Sequence, residues 1–459
     1  MLSGARTLAM TLAVGLVACS GSAPATASTP VADGQGTPEG PAQPEPIADD
    51  EAQAKEVVAH PEPGPTVAAP VKDPWLTGLL EDHPRWFGTL LADPERYRLQ
   101  ILVTVIPAPG AEGPAMVEHG YRVDAEYVYP ASAIKTFAAV GALRPLAELR
   151  AQGHPVGLDT PLAYCDDHRQ RCTIDHDESN LAGGTITVGH EIRKMQLVSN
   201  NVSFNRLYEL VGHRELNEMM WALGFPSVRL QHRMYGKHDE VVQHTTPRIE
   251  LRPRTRKGKS VEPVVIPERV SDLQLTPPAL GDLRLGIACI DDQTHERIDE
   301  PLDFSTRNYV SVRDLHRLAL AIARPELPGV PDLGLTKAHR EHLLASMTEN
   351  PAESTNPVYA DMDNGLRYKT MIGGMQQVLP LDRIRYVGKA GRAYGFHLDN
   401  AYIEDRKTGR AMVVTVVAYA NANGVLNDNV YEYDGVTRPL LRHLGHVLAQ
   451  AVFIDGGGT

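Results

Sequence analysis

From residue 74 onward, apolar positions alternate in period two, recur near 3.6, or form unbroken runs, and these patterns predict the elements. The stretch PWLTGLLEDHPRWFGTLLADPERY, from Pro74, has helical spacing interrupted at Pro84. LQILVTVI, Leu99 to Ile106, is apolar except for Gln100 and Thr104 and predicts a buried strand. YRVDAEYVYP predicts its hairpin partner across PAPGAEGPAMVEHG. Pro130 then opens a helix, because proline suits a first helical turn, and Phe137, Val140 and Leu143 mark one apolar face. TVGHEIRKMQLV and SFNRLYELVG read as helices on either side of Ser199-Asn200-Asn201. The second carries the stripe Phe204, Leu207, Tyr208, Val211 and stops at Gly212. ELNEMMWALGF is a further short helix. Periodicity lapses from about Lys237 to Arg307 and resumes in the helices SVRDLHRLALAIA and KAHREHLLASM. Near the end, IRYVGKAG, FHLDNAYIED and AMVVTVVAYA read as adjacent strands and RPLLRHLGHVLAQAVF as a helix. Strands at both ends with helices between predict an α+β fold. One antiparallel sheet is formed from N- and C-terminal strands and flanked by helices, with an inserted all-helical lobe.

Composition adds limits. The chain has 459 residues, is 42% hydrophobic and carries a net charge of −12, which argues against nucleic acid as a partner. Residues 1–18 read as a signal peptide: Arg6 precedes the short apolar stretch LAMTLAVGLVA, and LVAC then places small residues before Cys19. That ending resembles a bacterial lipobox and implies a mature chain lipidated at Cys19, exported and membrane-anchored at the periplasm or cell surface. The plainer reading is an ordinary signal peptide with an incidental cysteine. Residues 19–72 are Pro/Ala-rich, acidic and free of aromatics, and read as a disordered tether. The globular part is 73–459, with a loop-rich insertion over about 237–307. Its basic run RPRTRKGKS reads as solvated surface, with wall or lipid phosphate binding as the alternative.

Export permits disulfides. Cys165 and Cys172 flank the polar stretch DDHRQR, which suits a small disulfide ring. Zinc held by Cys165, His168, Cys172 and His176 is a second reading with a poor template match, and free thiols are a third. Cys289 is expected to be unpaired.

The chemistry concentrates in three places. In YPASAIKTF, Ser132 and Lys135 stand three apart at a helix start and so share a face. A serine hydroxyl needs a base within reach, and a lysine serves when burial or charge lowers its pKa. Alone the pair is weak, equally a helix-start serine and a surface lysine. Ser199 and Asn201 follow between helices, suited to proton relay and carbonyl binding; Asn201 or Ser203 also suits a helix cap. Lys389-Ala390-Gly391 lies on a strand, where the lysine offers a cation and the glycine lets a substrate come close. The better-spelled triplet Lys407-Thr408-Gly409 lies between two strand-like runs and reads as an exposed hairpin turn.

Ser-x-x-Lys, then Ser-x-Asn, then Lys-x-Gly, in that order, resembles the penicillin-recognising superfamily of serine β-lactamases and DD-peptidases. The class A β-lactamase branch is the nearest. Residues 185–212 are similar to its helix, Ser-Asp-Asn turn and next helix. Residues 388–405, with Gly395 and Asp399-Asn400, are similar to its Lys-Thr-Gly strand, turn and following strand. The resemblance implies a β-lactamase/transpeptidase-like fold for the globular domain. It implies Ser132 as acylated nucleophile, Lys135 as base partner and Ser199 as proton relay. Asn201 would orient substrate and Lys135, and Lys389 would bind a substrate carboxylate and polarise Ser199. Gly391 would give close approach, and the N–H groups of Ser132 and Arg392 would form the oxyanion hole.

The departures weigh as much. Ala390 stands where the family has a hydroxyl residue, with Arg392 or Tyr394 as candidates to compensate, and Asn200 replaces an acidic residue. The deacylating glutamate of class A enzymes falls at Met234 or Tyr235 in VRLQHRMYGKHDEVVQ, with Glu240 the nearest carboxylate. The leading expectation is an exported serine hydrolase that opens a β-lactam amide through an acyl-enzyme. Beside it stand a DD-peptidase, penicillin-binding or esterase activity with slow deacylation, and a non-catalytic wall-binding or sensor lipoprotein. No cofactor or metal is required, the substrate is a small β-lactam or peptidoglycan peptide, and a monomer is expected.

Overall fold

The computed structural model describes residues 73–458 apart from 167–170, 175–176, 178–179, 181–183, 235–239, 255–260 and 360–367. Cys19 and the tether lie outside the described residues, as do His168, His176 and Tyr235.

Two proline-led helices open the domain, α1 (Pro74–Glu81) and α2 (Pro84–Ala92), with the Asp73 carboxylate capping α1 by accepting from Leu76 N–H at 3.0 Å. Strands β1 (Gln100–Ile106) and β2 (Val117–Tyr121) follow. A tight turn at Ala131–Ile134 leads into α3 (Lys135–Ala151). The centre holds β3 (Leu162–Asp166), β4 (Arg171–Ile174), α4 (Val188–Val198), α5 (Asn201–Val211), α6 (His213–Ala222), β5 (Ile249–Leu251) and β6 (Val264–Ile266). Helices α7 (Val312–Ala323) and α8 (Lys337–Thr348) come next. The long strands β7 (Ile384–Ala393), β8 (Phe396–Asp405) and β9 (Ala411–Tyr419) and helix α9 (Arg438–Ala449) finish the domain.

The main sheet runs β7-β8-β9-β1-β2, antiparallel throughout, so strands from both ends of the domain join at β1–β9. Each face buries a separate core. Leu102 and Ile106 of β1 join the cluster under the central helices, while Ile101, Val103 and Val105 join the one under α1, α2 and α9. Alternate side chains point to opposite faces, so a strand covered on both sides reads as a near-continuous apolar run.

Two expectations are corrected. The partner of β1 is VEHGY rather than the stretch after it, because left-handed backbone at Arg122 (φ 53°) and Asp124 (φ 58°) ends the strand. The central lobe is not all-helical. It carries a second antiparallel sheet, β4-β3-β5-β6, whose strands of three to five residues are too short to show a period. Cys165 and Cys172 face each other across the β3–β4 hairpin and are joined as a disulfide, while Cys289 lies buried elsewhere.

Candidate active site

The site forms where the start of α3, the α4–α5 junction and the edge strand β7 converge. Pro130 precedes a tight turn rather than opening the helix, and Ala131 takes a left-handed φ of 46° just before Ser132. One turn later Lys135 begins α3, fully buried. Thr187 and Asn200 cap α4 and α5, each side chain accepting a backbone N–H, with Asn200 Oδ1 taking Ser203 N–H at 2.9 Å. Asn200, not Asn201 or Ser203, is therefore the cap. That leaves the Asn201 side chain available to the site.

Ser199 ends α4 in the left-handed region, φ 58° and ψ 33°. This conformation turns its carbonyl and hydroxyl toward two different lysines. Lys135 Nζ donates to Ser199 O at 2.6 Å and to Asn201 Oδ1 at 2.5 Å, and lies 3.4 Å from Ser199 Oγ. Lys389 Nζ, reaching across from β7, donates to Ser199 Oγ at 2.8 Å and to Ala390 O at 3.3 Å. Burial, and secondarily the charge of Lys389, holds the Lys135 ammonium well below the ordinary lysine range. Burial brings Lys389 down to about 7 against an opposing pull from Asp399. Two lysines on one hydroxyl, both held below the ordinary lysine range, form an arrangement that can carry proton transfer.

Gly391 brings the strand to the serine. A Cβ there would lie 2.4 Å from Pro130 O, 2.9 Å from Ala133 N and 3.0 Å from Ser132 N. Only glycine permits that backbone contact. Strand β7 is the edge of its sheet, so its outer side is free of a strand partner among the described residues. The Arg392 guanidinium sits over the Tyr433 ring, 5.0 Å from its centroid.

Behind β7 lies a buried polar chain that joins three strands to α7. Thr104 Oγ1 meets His316 Nε2 at 2.7 Å and His316 Nδ1 meets Thr415 Oγ1 at 2.9 Å. Thr415 donates to Asn400 Oδ1 at 2.8 Å, and Asn400 Nδ2 donates to Leu315 O at 2.9 Å. Burial lowers His316 to about 3, so the ring is neutral. With Thr415 donating onward, the proton sits on Nδ1 and Nε2 accepts from Thr104. Asn400 is the ladder partner of Lys389, so this chain anchors the strand that pairs with the lysine's own.

The glutamate position holds no carboxylate at Met234. That side chain is buried in the lobe core, and its N–H donates to Asn205 Oδ1 at 2.8 Å. Asn205 lies one turn after Asn201 on α5, so the loop is tied to the helix that carries the site. Glu209, a turn further, is held by Arg233 at 2.5 Å. The triplet Lys407-Thr408-Gly409 closes the β8–β9 hairpin. Gly409 N–H bonds Asp405 O at 2.8 Å, Gly409 takes φ 71°, and Lys407 is exposed. Five strand residues separate this turn from Asn400, about 17 Å.

Sequence reasoning missed Asn205, His316, Thr415 and Thr104. No local pattern marks them, since each acts across the fold. Asn200 was legible in principle as an asparagine four residues before the apolar stripe that starts at Phe204.

Among solved structures, the chain is similar to a β-lactamase from Burkholderia vietnamiensis, at 14% identity over 83% of this chain and 97% of that one, TM-score 0.40. It is also similar to a class A β-lactamase from Bacteroides cellulosilyticus, at 13% over 81% and 97%, TM-score 0.42. A third is a PBP-A mutant in an acyl-enzyme complex with penicillin G, at 15% over 82% and 97%, TM-score 0.43. No curated protein matches the chain in sequence. A family profile described as the beta-lactamase enzyme family matches residues 119–433, well over half of the chain and spanning Ser132, Ser199 and Lys389. By that match the chain belongs to the β-lactamase enzyme family.

Proposed function

We propose that the protein is a serine hydrolase that forms an ester between Ser132 and the carbonyl of a β-lactam or a related acyl amide. The observation that carries this reading is the convergence of Lys135 and Lys389 on Ser199, beside the turn that Gly391 packs against. In its neutral form Lys135 takes the Ser132 proton as Oγ attacks the carbonyl carbon. The N–H groups of Ser132 and Arg392 face the resulting oxyanion. The C–N bond breaks as Ser199 Oγ passes a proton to the leaving nitrogen and draws one from Lys389. Water then cleaves the ester and releases the acid.

A second reading shares the first half and differs in the last step. Met234 offers no base for the hydrolytic water, which favours a penicillin-binding or DD-peptidase-like protein whose acyl-enzyme persists. The signal-like N-terminus and the lipobox-like LVAC support export and anchoring through a lipid on Cys19, and the Cys165–Cys172 disulfide fits an oxidising compartment.

The test is to mix the protein with excess penicillin and follow intact mass and free drug together. Continuous drug loss with little adduct supports the hydrolase. One stable adduct per chain with negligible drug loss supports the persistent ester. Neither adduct nor drug loss, with β-lactams and acyl esters alike, refutes the acyl-enzyme and leaves a non-catalytic binding protein.

A further inference from the structure

The insertion is tied to the domain and delivers one aromatic ring beside the site. Its residues Ala288–Ile290 pair in parallel with Val425–Leu426, and Leu302–Asp303 pair antiparallel with Arg284–Leu285. Phe304 follows this short ribbon, and its N–H donates to Leu283 O at 3.0 Å. Phe304 is fully buried, and its ring meets four others. The centroid distances are 5.5 Å to Tyr127, 5.4 Å to Tyr129, 5.6 Å to Tyr394 and 6.4 Å to Phe396. Tyr129 and Tyr394 also meet each other, at 5.4 Å. These tilted and edge-on pairs lie in the range where aromatic rings attract.

The rings come from two segments that the reaction needs in register. Tyr127 and Tyr129 lead through Pro130 into the Ser132 turn, while Tyr394 lies in the turn that ends β7 and Phe396 begins β8. Tyr394 takes φ 54° and Gly395 φ 83°. A bulky side chain in the left-handed region is uncommon, and here its ring is held by Tyr129 and Phe304. With both turn residues left-handed and Ala393 opposite Phe396, this two-residue hairpin makes Ala393 and Phe396 a hydrogen-bonded pair. Such pairs alternate along an antiparallel ladder, so Arg392, opposite His397, turns its N–H away from β8 toward the outer edge of β7. That N–H and the N–H of Ser132 are the two donors proposed for the oxyanion, and each lies within three residues of a ring that touches Phe304.

We propose that Phe304, carried by the insertion, is a positioning residue for acylation: its ring sets the gap between the Ser132 turn and the end of β7, and so the spacing of the two oxyanion donors. The insertion is then part of the catalytic scaffold. This rests on the acyl-enzyme reading above.

The experiment measures acylation of the full chain by a penicillin, separating the maximal rate from the half-saturating concentration. It also measures the affinity of a boronic acid, which forms a tetrahedral adduct on a serine hydroxyl. Phe304→Leu should lower the maximal rate roughly tenfold and weaken the boronic acid by a similar factor, with the half-saturating concentration within about twofold of wild type. Tyr394→Asn suits the left-handed backbone and removes the ring, so it should show the same split, and it carries the test if Phe304→Leu does not fold. Phe87→Leu, in the core on the other face of the sheet, reports plain loss of stability and should move neither reading. Combined with Gly391→Ala, Phe304→Leu should add less than its own factor, because both act on one gap. Folded variants that acylate at the wild-type rate, a loss confined to the half-saturating concentration, an equal loss in Phe87→Leu, or factors that multiply in full overturn the inference and leave the acyl-enzyme intact. A wild type that neither a penicillin nor an acyl ester acylates removes both.

Discussion

Gly391→Ala is the smallest change that should separate the strand from the serine. The new Cβ would lie 2.4 Å from Pro130 O, where ordinary contact begins near 3.4 Å, so the two backbones must part by about 1 Å. The three nearest atoms, Pro130 O, Ala133 N and Ser132 N, all belong to the backbone, so the main chain rather than a flexible side chain must yield. Displacement of ~1 Å at a reacting group costs on the order of 10²-fold in rate. Crowding of this kind costs roughly 1–3 kcal/mol in stability, so the variant should remain folded. The assay is the second-order acylation rate by intact mass, with thermal denaturation in parallel. Gly435→Ala is the control, because an added Cβ there meets nothing within 4 Å. A folded Gly391→Ala protein that acylates at the wild-type rate would show that the contact between β7 and the Ser132 turn does not organise the site.

Three further outcomes are expected. Lys389→Ala should slow acylation by roughly 10²–10⁴-fold, while Lys407→Ala leaves the rate unchanged; the reverse pattern assigns the site to the wrong triplet. Because burial brings Lys389 down to about 7, it is protonated below that pH and neutral above it, so acylation should fall as pH rises through this region. Lys389→Arg, always charged, should remove that alkaline limb from a pH–rate profile. Asn200→Ala should cost about 1 kcal/mol by chemical denaturation through loss of the α5 cap, with Asn200→Asp retaining most of it.

Much of the fold was legible because its period was strong. The run Leu99–Ile106, the stripe Phe204 to Val211 and the three C-terminal strands each bury enough apolar surface to declare themselves. The second strand was misplaced because VEHGY alternates weakly and the left-handed residues that stop it, Arg122 and Asp124, carry no glycine signal. The small second sheet was hidden for a related reason, since three-residue strands have no measurable period. Lys135, Ser199, Asn201 and Lys389, which the fold brings together, could be picked out from order and spacing, yet their arrangement could not. That Ser199 adopts a left-handed turn, that Asn200 spends its side chain on a cap, and that His316 threads three strands behind Lys389 are consequences of packing between distant segments.

Peptide mapping after brief exposure to a β-lactam locates the ester that Ser132 is expected to carry. One added drug mass per chain is expected, carried by the peptide containing Ser132 and absent from Ser132→Ala. An adduct on any other residue, or one that persists undiminished in Ser132→Ala, would contradict it.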